Sequence, residues 1–399
     1  MNILFLSTKL PYPPLSGAKI RDFNLIKQIS KKHKIILVSF IQDEKEKENL
    51  KFLKPYCQII KVIKERGKIN LFISFVISLF SRKPFTIAKY YSPKMKQLIK
   101  KIFDDNKIDL IHCGHLHMAQ YVENLKGMPK VLDEHNIEYF LIKRYIDKQK
   151  NIFKKAFVFL MQYLKLARYE PAIAQKFEHC LVVSEVDKRN LKMISSNASA
   201  SVVPNGVDID FYKKNEETKI EQNSLVFTGA MNWFPNEDAI LYFYDEIWSH
   251  IKKEIDNLCL YIVGCNPSNK ITNLSKQEKN IIVTGYVDDV RPYIAKSSVY
   301  IVPLRIGGGS RLKILEALSM GKAVVSTSIG CEGLNVTDNE NILIADFPKE
   351  FARKTLILLR NKELCQKLGN NGRRLVESFY SWKNIYKKLD KIYDGAYKK

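Results

Sequence analysis

Residues 298–327 decide the fold class of this 399-residue chain, and they read SVYIVPLRIGGGSRLKILEALSMGKAVVST. Short apolar runs at the two ends predict strands over 298–303 and 323–327. The segment between them has apolar residues at helical spacing, which predicts a helix over 310–320 that ends at Gly321. A strand, a helix and a second strand in this order form a right-handed crossover between parallel strands. We therefore predict an α/β fold with a parallel sheet.

The same alternation of strands and helices extends through the rest of the chain. Helices are predicted over 18–30 and 236–250. Further strands are predicted over 2–7, 34–40, 109–113, 129–133, 180–184, 200–203, 224–228, 257–263 and 281–283. Because the pattern restarts near residue 200, we predict one α/β domain over 1–200, a second over 201–375 and a helical tail over 376–399.

The two halves of the chain differ in charge. Residues 1–200 carry 37 Lys and Arg against 18 Asp and Glu, whereas residues 201–399 carry 28 against 24. A net charge of +23 that is concentrated in one half indicates an anionic partner, such as a phospholipid surface or a phosphorylated substrate. Nucleic acid is a third such partner, but the sequence has no RNA-recognition or helix–turn–helix signature, so we predict no nucleic-acid binding.

No segment has the roughly 18–20 consecutive apolar residues that span a bilayer. Two shorter apolar stretches, 71–80 and 153–166, have basic residues within or beside them. Each stretch alone is interpreted as a buried core helix, whereas the basic half as a whole is predicted to touch an anionic membrane surface. Seven scattered cysteines and a first segment typical of a buried strand favour a cytoplasmic protein, peripheral on the inner membrane face.

The strongest candidate site lies between the first strand and the helix of the opening stretch. Gly308, Gly309 and Ser310 precede the helix, where free backbone N–H groups and the positive end of the helix dipole favour a diphosphate. Arg311 and Lys313 follow in the first turn, where cations oppose the dipole unless an anion neutralises them. These residues therefore predict a phosphate-binding site.

Glu316 lies one turn further along the same helix, among apolar positions. Its carboxylate can accept two hydrogen bonds from a ribose diol. The alternative is a solvated helix start with Glu316 as a capping residue. Ser16 and Gly17, before the first predicted helix, form a weaker anion-site candidate, for which a rigid turn is the alternative.

Five segments together resemble one known family. They are residues 16–17 (SG), 203–208 (VPNGVD), 227–231 (FTGAM), 283–289 (VTGYVDD) and 307–327. In order and spacing, over nearly the whole chain, they are similar to the family-4 (group 1) glycosyltransferases. The resemblance implies a GT-B fold, with two Rossmann-like domains and a cleft between them. It also implies transfer of a sugar from a nucleotide donor with retention at the anomeric carbon, usually without metal.

The resemblance also assigns roles to the two domains. The C-terminal domain holds the nucleotide-sugar, with a UDP- or GDP-sugar favoured and no separate cofactor. The N-terminal domain faces a saccharide or lipid-linked acceptor, and the tail crosses back to it. The backbone of 285–287 would contact the base and Glu316 the ribose. The implied donor-binding residues are Ser16, Gly17, Gly229, Gly285, Tyr286, Val287, Gly308, Gly309, Ser310, Arg311, Lys313 and Glu316.

Two positions depart from the family pattern. Gly308 stands where the first glutamate of the family's E-x7-E motif would lie, so the identity of the donor sugar stays open. The backbone amides of Gly309 and Ser310 are expected to substitute for that glutamate.

The second departure follows the strand over 224–228, where the family has an arginine and a lysine. Ala230 and Met231 stand near these positions. Arg311 and Lys313 are therefore predicted to neutralise the phosphates, ahead of Arg305.

Histidines supply the remaining candidates. His135 follows a predicted strand at the place where the family carries a histidine near the donor sugar, and an ordinary loop histidine is the alternative. His112, His115 and His117 have a spacing that can bind zinc. Nothing nearby in sequence completes such a site, so we predict no metal and place His115 and Asn205 on the acceptor side.

Arg311, Lys313 and His135 are the predicted catalytic residues. Positive charge would stabilise the leaving diphosphate while the acceptor attacks from the same face and the leaving phosphate acts as base. No pair of carboxylates suits a double displacement. Two alternatives stay open, namely a nucleotide-sugar epimerase of GT-B fold and a non-enzymatic basic protein that binds membranes or RNA.

Overall fold

The computed structural model describes residues 1–65, 68–149, 151–213, 217–306 and 311–398. Their contacts divide the chain into two compact units. The N-terminal unit comprises Met1–Pro204 and Ile385–Lys399, and the C-terminal unit comprises Asn205–Asn384. Each unit is built on one parallel β-sheet.

Among the described residues, the N-terminal unit has seven strands, nine α-helices before Pro204 and most of the last helix of the chain. The strands are β1 (Asn2–Ser7), β2 (Lys34–Ile41), β3 (Ile59–Lys64), β4 (Leu110–Gly114), β5 (Lys130–Glu134), β6 (His179–Val182) and β7 (Ala200–Val202). The helices are α1 (Gly17–Ile29), α2 (Lys68–Phe80), α3 (Phe85–Lys89), α4 (Pro93–Asp105), α5 (Leu116–Ala119), α6 (Glu138–Lys148), α7 (Ile152–Val158), α8 (Leu164–Ala174) and α9 (Glu185–Ile194). A 3₁₀ helix spans Glu44–Phe52, and a π-helical turn over Phe159–Tyr163 joins α7 to α8.

The C-terminal unit has a six-stranded sheet. Its strands are β8 (Glu221–Thr228), β9 (Cys259–Val263), β10 (Ile281–Gly285), β11 (Ser297–Val302), β12 (Val324–Ser326) and β13 (Leu343–Ile344). Its helices are α10 (Phe234–Tyr242), α11 (Ser249–Lys252), α12 (Asn269–Gln277), α13 (Arg291–Lys296), α14 (Leu312–Ser319), α15 (Pro348–Arg360) and α16 (Lys362–Leu375). The last helix, α17 (Trp382–Tyr397), begins in this unit, and π-helical turns span Phe243–Trp248 and Val376–Tyr380.

The parallel sheet predicted from residues 298–327 is confirmed. β11 and β12 pair in parallel with Tyr300 opposite Val324, and α14 lies between them in the chain. The strand orders are β3-β2-β1-β4-β5-β6-β7 and β10-β9-β8-β11-β12-β13. In both sheets the order reverses at the first strand, so the carboxyl ends of β1 and β4, and of β8 and β11, are the edges where such sheets bind ligands.

Four sequence predictions differ from the structure. β3 and β13 were not predicted, because β3 is a half-buried edge strand that includes Lys61 and Lys64, and β13 has two residues. The strand at 200–202 belongs to the first sheet, where it pairs with β6, so the unit boundary lies at Pro204. The C-terminal helix is broken at Ser381, whose backbone is extended, and the chain rejoins the N-terminal unit at Ile385.

The fourth difference concerns the apolar stretches 71–80 and 153–166. The prediction that both are buried core helices is wrong, because large apolar side chains of α2 and α7 are exposed. Within the described ranges, no helix combines the length and the apolar composition needed to cross a bilayer.

Candidate functional site

The C-terminal unit brings a lysine, an asparagine and a glycine together at the carboxyl end of β8. Lys313 Nζ donates a hydrogen bond to Asn236 Oδ1 at 2.8 Å and lies 3.9 Å from the centre of the Phe227 ring. A Cβ added at Gly229 would lie 2.7 Å from Asn236 Nδ2 and 3.1 Å from Lys313 Nζ. The backbone φ of Gly229 is +152°, so both space and conformation require glycine there.

The charge of the Lys313 ammonium is poorly compensated by its surroundings. Burial is the main cause that lowers its pKa to about 7, the Glu316 charge opposes this shift, and the nearby Arg311 charge adds to it. Its hydrogen-bond acceptor is a neutral amide, which leaves the cation poorly compensated. A bound anion at this point would stabilise the charged form, which is the behaviour expected of a phosphate-binding lysine.

Glu316 and Tyr212 form the second part of this cluster. Burial raises the pKa of Glu316, while a hydrogen bond from Tyr212 and the Lys313 charge lower it. Glu316 follows Lys313 by nearly one helical turn of α14, so the two side chains lie on one side of the helix. A carboxylate held by a tyrosine hydroxyl can still accept hydrogen bonds from a diol.

Arg311 directly precedes α14, and its side chain is nearly buried. Its guanidinium donates to the Ile329 carbonyl oxygen at 2.9 Å and lies 3.7 Å from Glu332. Arg305, the less favoured cation, makes a 2.7 Å ion pair with Asp238 and is half exposed. The predictions at Gly308, Gly309 and Ser310 lie outside the described residues.

The end of β10 presents open backbone. Gly285 has φ +68°, and a Cβ added there would meet no described atom within 4 Å. Tyr286 is exposed, whereas Val287 packs against the core. The chain therefore offers accessible peptide groups at 285–286, as expected for a segment that contacts a flat base through its backbone.

The N-terminal unit contains a buried charge cluster at the carboxyl ends of β1, β4 and β5. The Arg21 guanidinium is fully buried and makes two 2.7 Å hydrogen bonds to the carboxylate of Asp133. Burial raises the pKa of Asp133, but the Arg21 charge and contacts with His112 and His135 hold it well below its usual range. Asp133 is therefore an anion whose counter-charge the protein itself supplies.

His135 lies beside this ion pair, and only a small part of it is exposed. Its Nε2 is 3.5 Å from Asp22 Oδ1 and 3.6 Å from Asp133 Oδ2. Its ring centre is 4.2 Å from that of His115. Two carboxylates on one side of the imidazole favour a proton on Nε2, which leaves Nδ1 as the acceptor.

The final helix completes the cluster. Tyr393 hydrogen-bonds to Nδ1 of His112 at 2.7 Å, and His112 Nε2 lies 3.5 Å from Asp133. Asp390, one turn earlier, is 2.9 Å from Nε2 of His33. These contacts tie residues 385–398 to the sheet of the N-terminal unit.

His115, His117 and Glu138 form a further group whose ligand atoms lie within 4.8 Å of one another. Burial lowers the pKa of His117 to about 4 and raises that of Glu138 to about 7. His115 has a positive φ of 88°, which is uncommon for a residue with a side chain. The sequence showed no third ligand here, but α6 supplies Glu138, so this group could hold a divalent cation.

The remaining sequence predictions are placed as follows. Ser16 directly precedes α1 and Gly17 begins it, and both are exposed. Ser16 also lines a cavity of about 200 Å³ together with Lys9 and Lys19. Asn205, predicted on the acceptor side, is buried at the first position of the C-terminal unit.

Sequence reasoning missed several residues of these clusters. Arg21 and Asp133 are 112 positions apart, so no local sequence pattern predicts their ion pair. Asn236 and Tyr212 were also not predicted as site residues. Asn236 could have been, because it lies in the first turn of the helix that follows the Gly229 loop. Asp22 was readable as a polar residue within the apolar pattern of α1.

Two family models match the chain. The model described as "Glycosyltransferase Family 4" matches residues 17–211, and the one described as "Glycosyl transferases group 1" matches residues 222–361. The chain is 24% identical to an uncharacterized glycosyltransferase of Methanocaldococcus jannaschii, over 98% of this chain and 97% of that protein. It is 22% identical to the capsular polysaccharide biosynthesis glycosyltransferase CapM of Staphylococcus aureus, over 56% of this chain and 60% of that protein.

A solved structure shares the fold over the full length. The Anabaena protein HepE in complex with UDP and glucose superposes with a TM-score of 0.69 at 12% identity, covering 99% of this chain and 100% of that one.

Proposed function

The chain belongs to the group 1 glycosyltransferases and has the GT-B fold, and on that premise we propose that it is a retaining, metal-independent hexosyltransferase. Its donor is a nucleoside-diphosphate sugar and its acceptor a saccharide or a lipid-linked saccharide. The observation that carries this proposal is the cluster of Lys313, Asn236, Gly229 and Glu316 at the end of β8.

The diphosphate is proposed to bind at Lys313. An ammonium group with a lowered pKa and a neutral hydrogen-bond partner gains most from an anionic ligand. Gly229 brings its backbone close to Lys313 without a side chain of its own, since a Cβ there would lie 3.1 Å from Lys313 Nζ, so a phosphate bound to the lysine can also contact this backbone. Arg311 adds positive charge nearby, although Glu332 partly compensates it.

The nucleoside is proposed to lie along the same edge of the sheet. Glu316, supported by Tyr212, would accept hydrogen bonds from the ribose hydroxyl groups. The base would meet the open backbone at Gly285 and Tyr286. UDP and GDP remain the favoured nucleotides, and the fold similarity to a protein solved with UDP and glucose supports UDP.

The transfer step is proposed to occur on one face of the sugar. The bond between the anomeric carbon and the diphosphate oxygen breaks, and the acceptor hydroxyl oxygen bonds to that carbon from the same side. The hydroxyl proton passes to the departing phosphate. Lys313 and Arg311 stabilise the charge that develops on the diphosphate, which is the role a metal ion plays in other transferases.

His135 is proposed to hydrogen-bond the donor sugar. Asp22 and Asp133 face its Nε2, so they orient the ring. His115, stacked against it, is proposed to line the acceptor pocket.

The biological setting is proposed to be the synthesis of a cell-surface polysaccharide or glycan. One relative of the chain is a capsular polysaccharide biosynthesis glycosyltransferase. An N-terminal half with 37 basic and 18 acidic residues supports our proposal of a cytoplasmic protein attached to the inner face of the membrane, where it would reach a lipid-linked acceptor.

Calorimetric titration of the full chain with UDP, GDP and ADP, with and without EDTA, tests the donor site. We expect one diphosphate to bind saturably and without sensitivity to EDTA. Lys313→Ala and Glu316→Gln should each weaken binding by about 10-fold to 100-fold, the value of a hydrogen bond to a charged group.

Arg305→Ala is the matched control, because Arg305 is a cation of the same unit that is paired with Asp238 and half exposed. Its affinity should equal that of the wild type. Unchanged affinity in Lys313→Ala and Glu316→Gln contradicts the site, and an EDTA-sensitive reaction contradicts metal independence. The anomeric configuration of the product, read by NMR, decides between retention and inversion, and a free epimerised donor would identify an epimerase instead.

A further inference from the structure

Helix α2 presents its apolar side to solvent and its polar side to the protein. Ser74 and Ser78 are fully buried, and Ser74 Oγ donates to the Ala88 carbonyl oxygen at 3.3 Å. Phe72 is 71% exposed and Phe80 is 83% exposed. Among the side chains of α2 that the structure describes, the exposed apolar ones are Phe72, Ile73, Val76, Leu79 and Phe80. This arrangement is the reverse of a helix that packs its apolar face onto a core.

A second helical segment, α7 with the π-helical turn after it, shows the same property. Phe153 is 84% exposed and Ile152 is 73% exposed. The exposed apolar side chains of this segment and the start of α8 are Ile152, Phe153, Phe157, Phe159, Leu160 and Leu164. Such a concentration is unusual for a surface that faces water.

The two segments contact each other and form one surface. The rings of Phe75 and Phe157 stack with their centres 6.0 Å apart. Lys165 Nζ donates to the Ser81 carbonyl oxygen at 3.0 Å. Thr86 Oγ1 donates to Gln162 Oε1 at 3.2 Å, which joins the start of α3 to the same turn. We call the exposed apolar side chains of these two segments the apolar face.

The two stretches of chain that carry the apolar face are basic. Residues 66–103 include nine Lys and Arg and no Asp or Glu, and residues 148–169 include six and none. Arg82 directly follows α2, and Lys154 and Lys155 lie on α7, all with exposed side chains. Exposed aromatic and aliphatic side chains with exposed cations beside them match a layer of hydrocarbon beneath anionic headgroups.

We propose that the apolar face docks on a bilayer that contains anionic phospholipid. The apolar side chains enter the headgroup region, and Arg82, Lys154 and Lys155 bind lipid phosphates. A second copy of the chain is a poorer occupant, because pairing two such faces would bring their lysines together, and lysine is depleted in protein interfaces. This proposal rests on the membrane attachment proposed above and assigns it to these residues, whereas the donor site lies in the other unit and is tested separately.

Vesicle co-sedimentation of the full chain tests the docking. At low salt, binding should be strong to vesicles of phosphatidylcholine with about a third phosphatidylglycerol and weak to phosphatidylcholine alone. Phe80→Ser with Phe153→Ser should weaken binding at least about 10-fold, since both side chains are free of packing and bury large apolar areas in lipid. Lys154→Glu with Lys155→Glu should weaken only the binding to anionic vesicles.

Met193→Ser, on α9 of the same unit, is the matched control, since Met193 is 74% exposed and lies outside the apolar face. It should bind vesicles as the wild type does. Every variant should keep its melting temperature and its affinity for the nucleotide, which separates this test from that of the donor site.

Three results overturn the proposal. The first is wild-type vesicle binding by Phe80→Ser with Phe153→Ser, and the second is equal binding to both vesicle compositions. The third is a dimer without lipid, seen by analytical ultracentrifugation, that becomes monomeric in the double serine variant. The third result would show that a second copy of the chain covers the apolar face.

Discussion

The buried ion pair of the N-terminal unit and the lysine cluster of the C-terminal unit solve the same physical problem in opposite ways. Arg21 and Asp133 neutralise each other with two 2.7 Å hydrogen bonds in a fully buried position. Lys313 instead has a neutral amide as its acceptor, and its pKa is lowered to about 7. The first arrangement is complete without a ligand, whereas the second gains free energy when an anion arrives.

This comparison separates residues that hold the fold from residues that bind a ligand. Removing one member of a buried ion pair destabilises the fold strongly, because the partner charge is left buried without compensation. A charge left poorly compensated weakens the fold slightly and strengthens ligand binding. Substitutions in the Arg21–Asp133 pair should therefore change mainly the free energy of unfolding, whereas substitutions of Lys313 should change mainly the affinity for the ligand.

Asp133→Asn should produce the largest effect on stability. The substitution keeps the shape of the side chain but leaves the Arg21 cation buried without a counter-charge, which costs about 3–5 kcal/mol. The free energy of unfolding, measured by urea titration, should fall by that amount.

Asp238→Asn is the matched control for this prediction, because its ion pair with Arg305 has the same 2.7 Å distance but a half-exposed arginine. Exposed pairs contribute about 0–1 kcal/mol, so the control should change little. If the free energy of unfolding fell equally in Asp133→Asn and Asp238→Asn, the buried pair would be no more important for stability than the exposed pair.

The comparison also shows what the sequence can and cannot predict. The parallel sheet, the crossover at residues 298–327 and the placement of Lys313 and Glu316 on one helix followed from local periodicity. The ion pair between Arg21 and Asp133 did not, because pairing across 112 residues depends on the strand order. Local sequence patterns predict the secondary structure of a segment, whereas its side-chain partners depend on the tertiary fold.

The same limit explains the error at α2. Its sequence is apolar with serines at intervals, so periodicity alone favoured a core helix. In the structure the serines face inward, where the Ala88 carbonyl oxygen accepts from Ser74, and the aromatic residues face outward. Which face of an amphipathic helix meets the core depends on the surface beneath it, and the sequence does not state that.

Nucleotide binding should depend on pH through Lys313. Its pKa is lowered to about 7 from 10.5, so in the free protein it loses its proton as the pH rises through 7. A bound diphosphate should restore the proton, because it raises the pKa again. Affinity for the diphosphate should therefore fall about 10-fold between roughly pH 7 and pH 8.5.

Calorimetry at pH 8 in two buffers of different ionisation enthalpy measures the proton directly. We expect the wild type to take up nearly one proton on binding, and Lys313→Arg to take up none. The unfolded chain binds more protons at this lysine between its two pKa values, so stability should also rise with pH over that window. Binding without proton uptake would mean that Lys313 is already charged in the free protein.

Tyr212→Phe should change nucleotide affinity least of these variants, and it tests whether Glu316 contacts the ribose. The substitution removes the hydrogen bond that orients Glu316 and lowers its pKa, so the side chain is held less firmly and is protonated more readily, and a protonated carboxyl accepts fewer hydrogen bonds. Affinity for UDP should fall by roughly 2-fold to 5-fold, in line with the modest net value of a single hydrogen bond. Affinity for 2′-deoxy-UDP should fall less, because that ligand lacks one of the two hydroxyl groups that Glu316 would accept from. Equal losses for the two nucleotides would place the ribose away from Glu316, whereas a difference between them locates one hydroxyl group at this carboxylate.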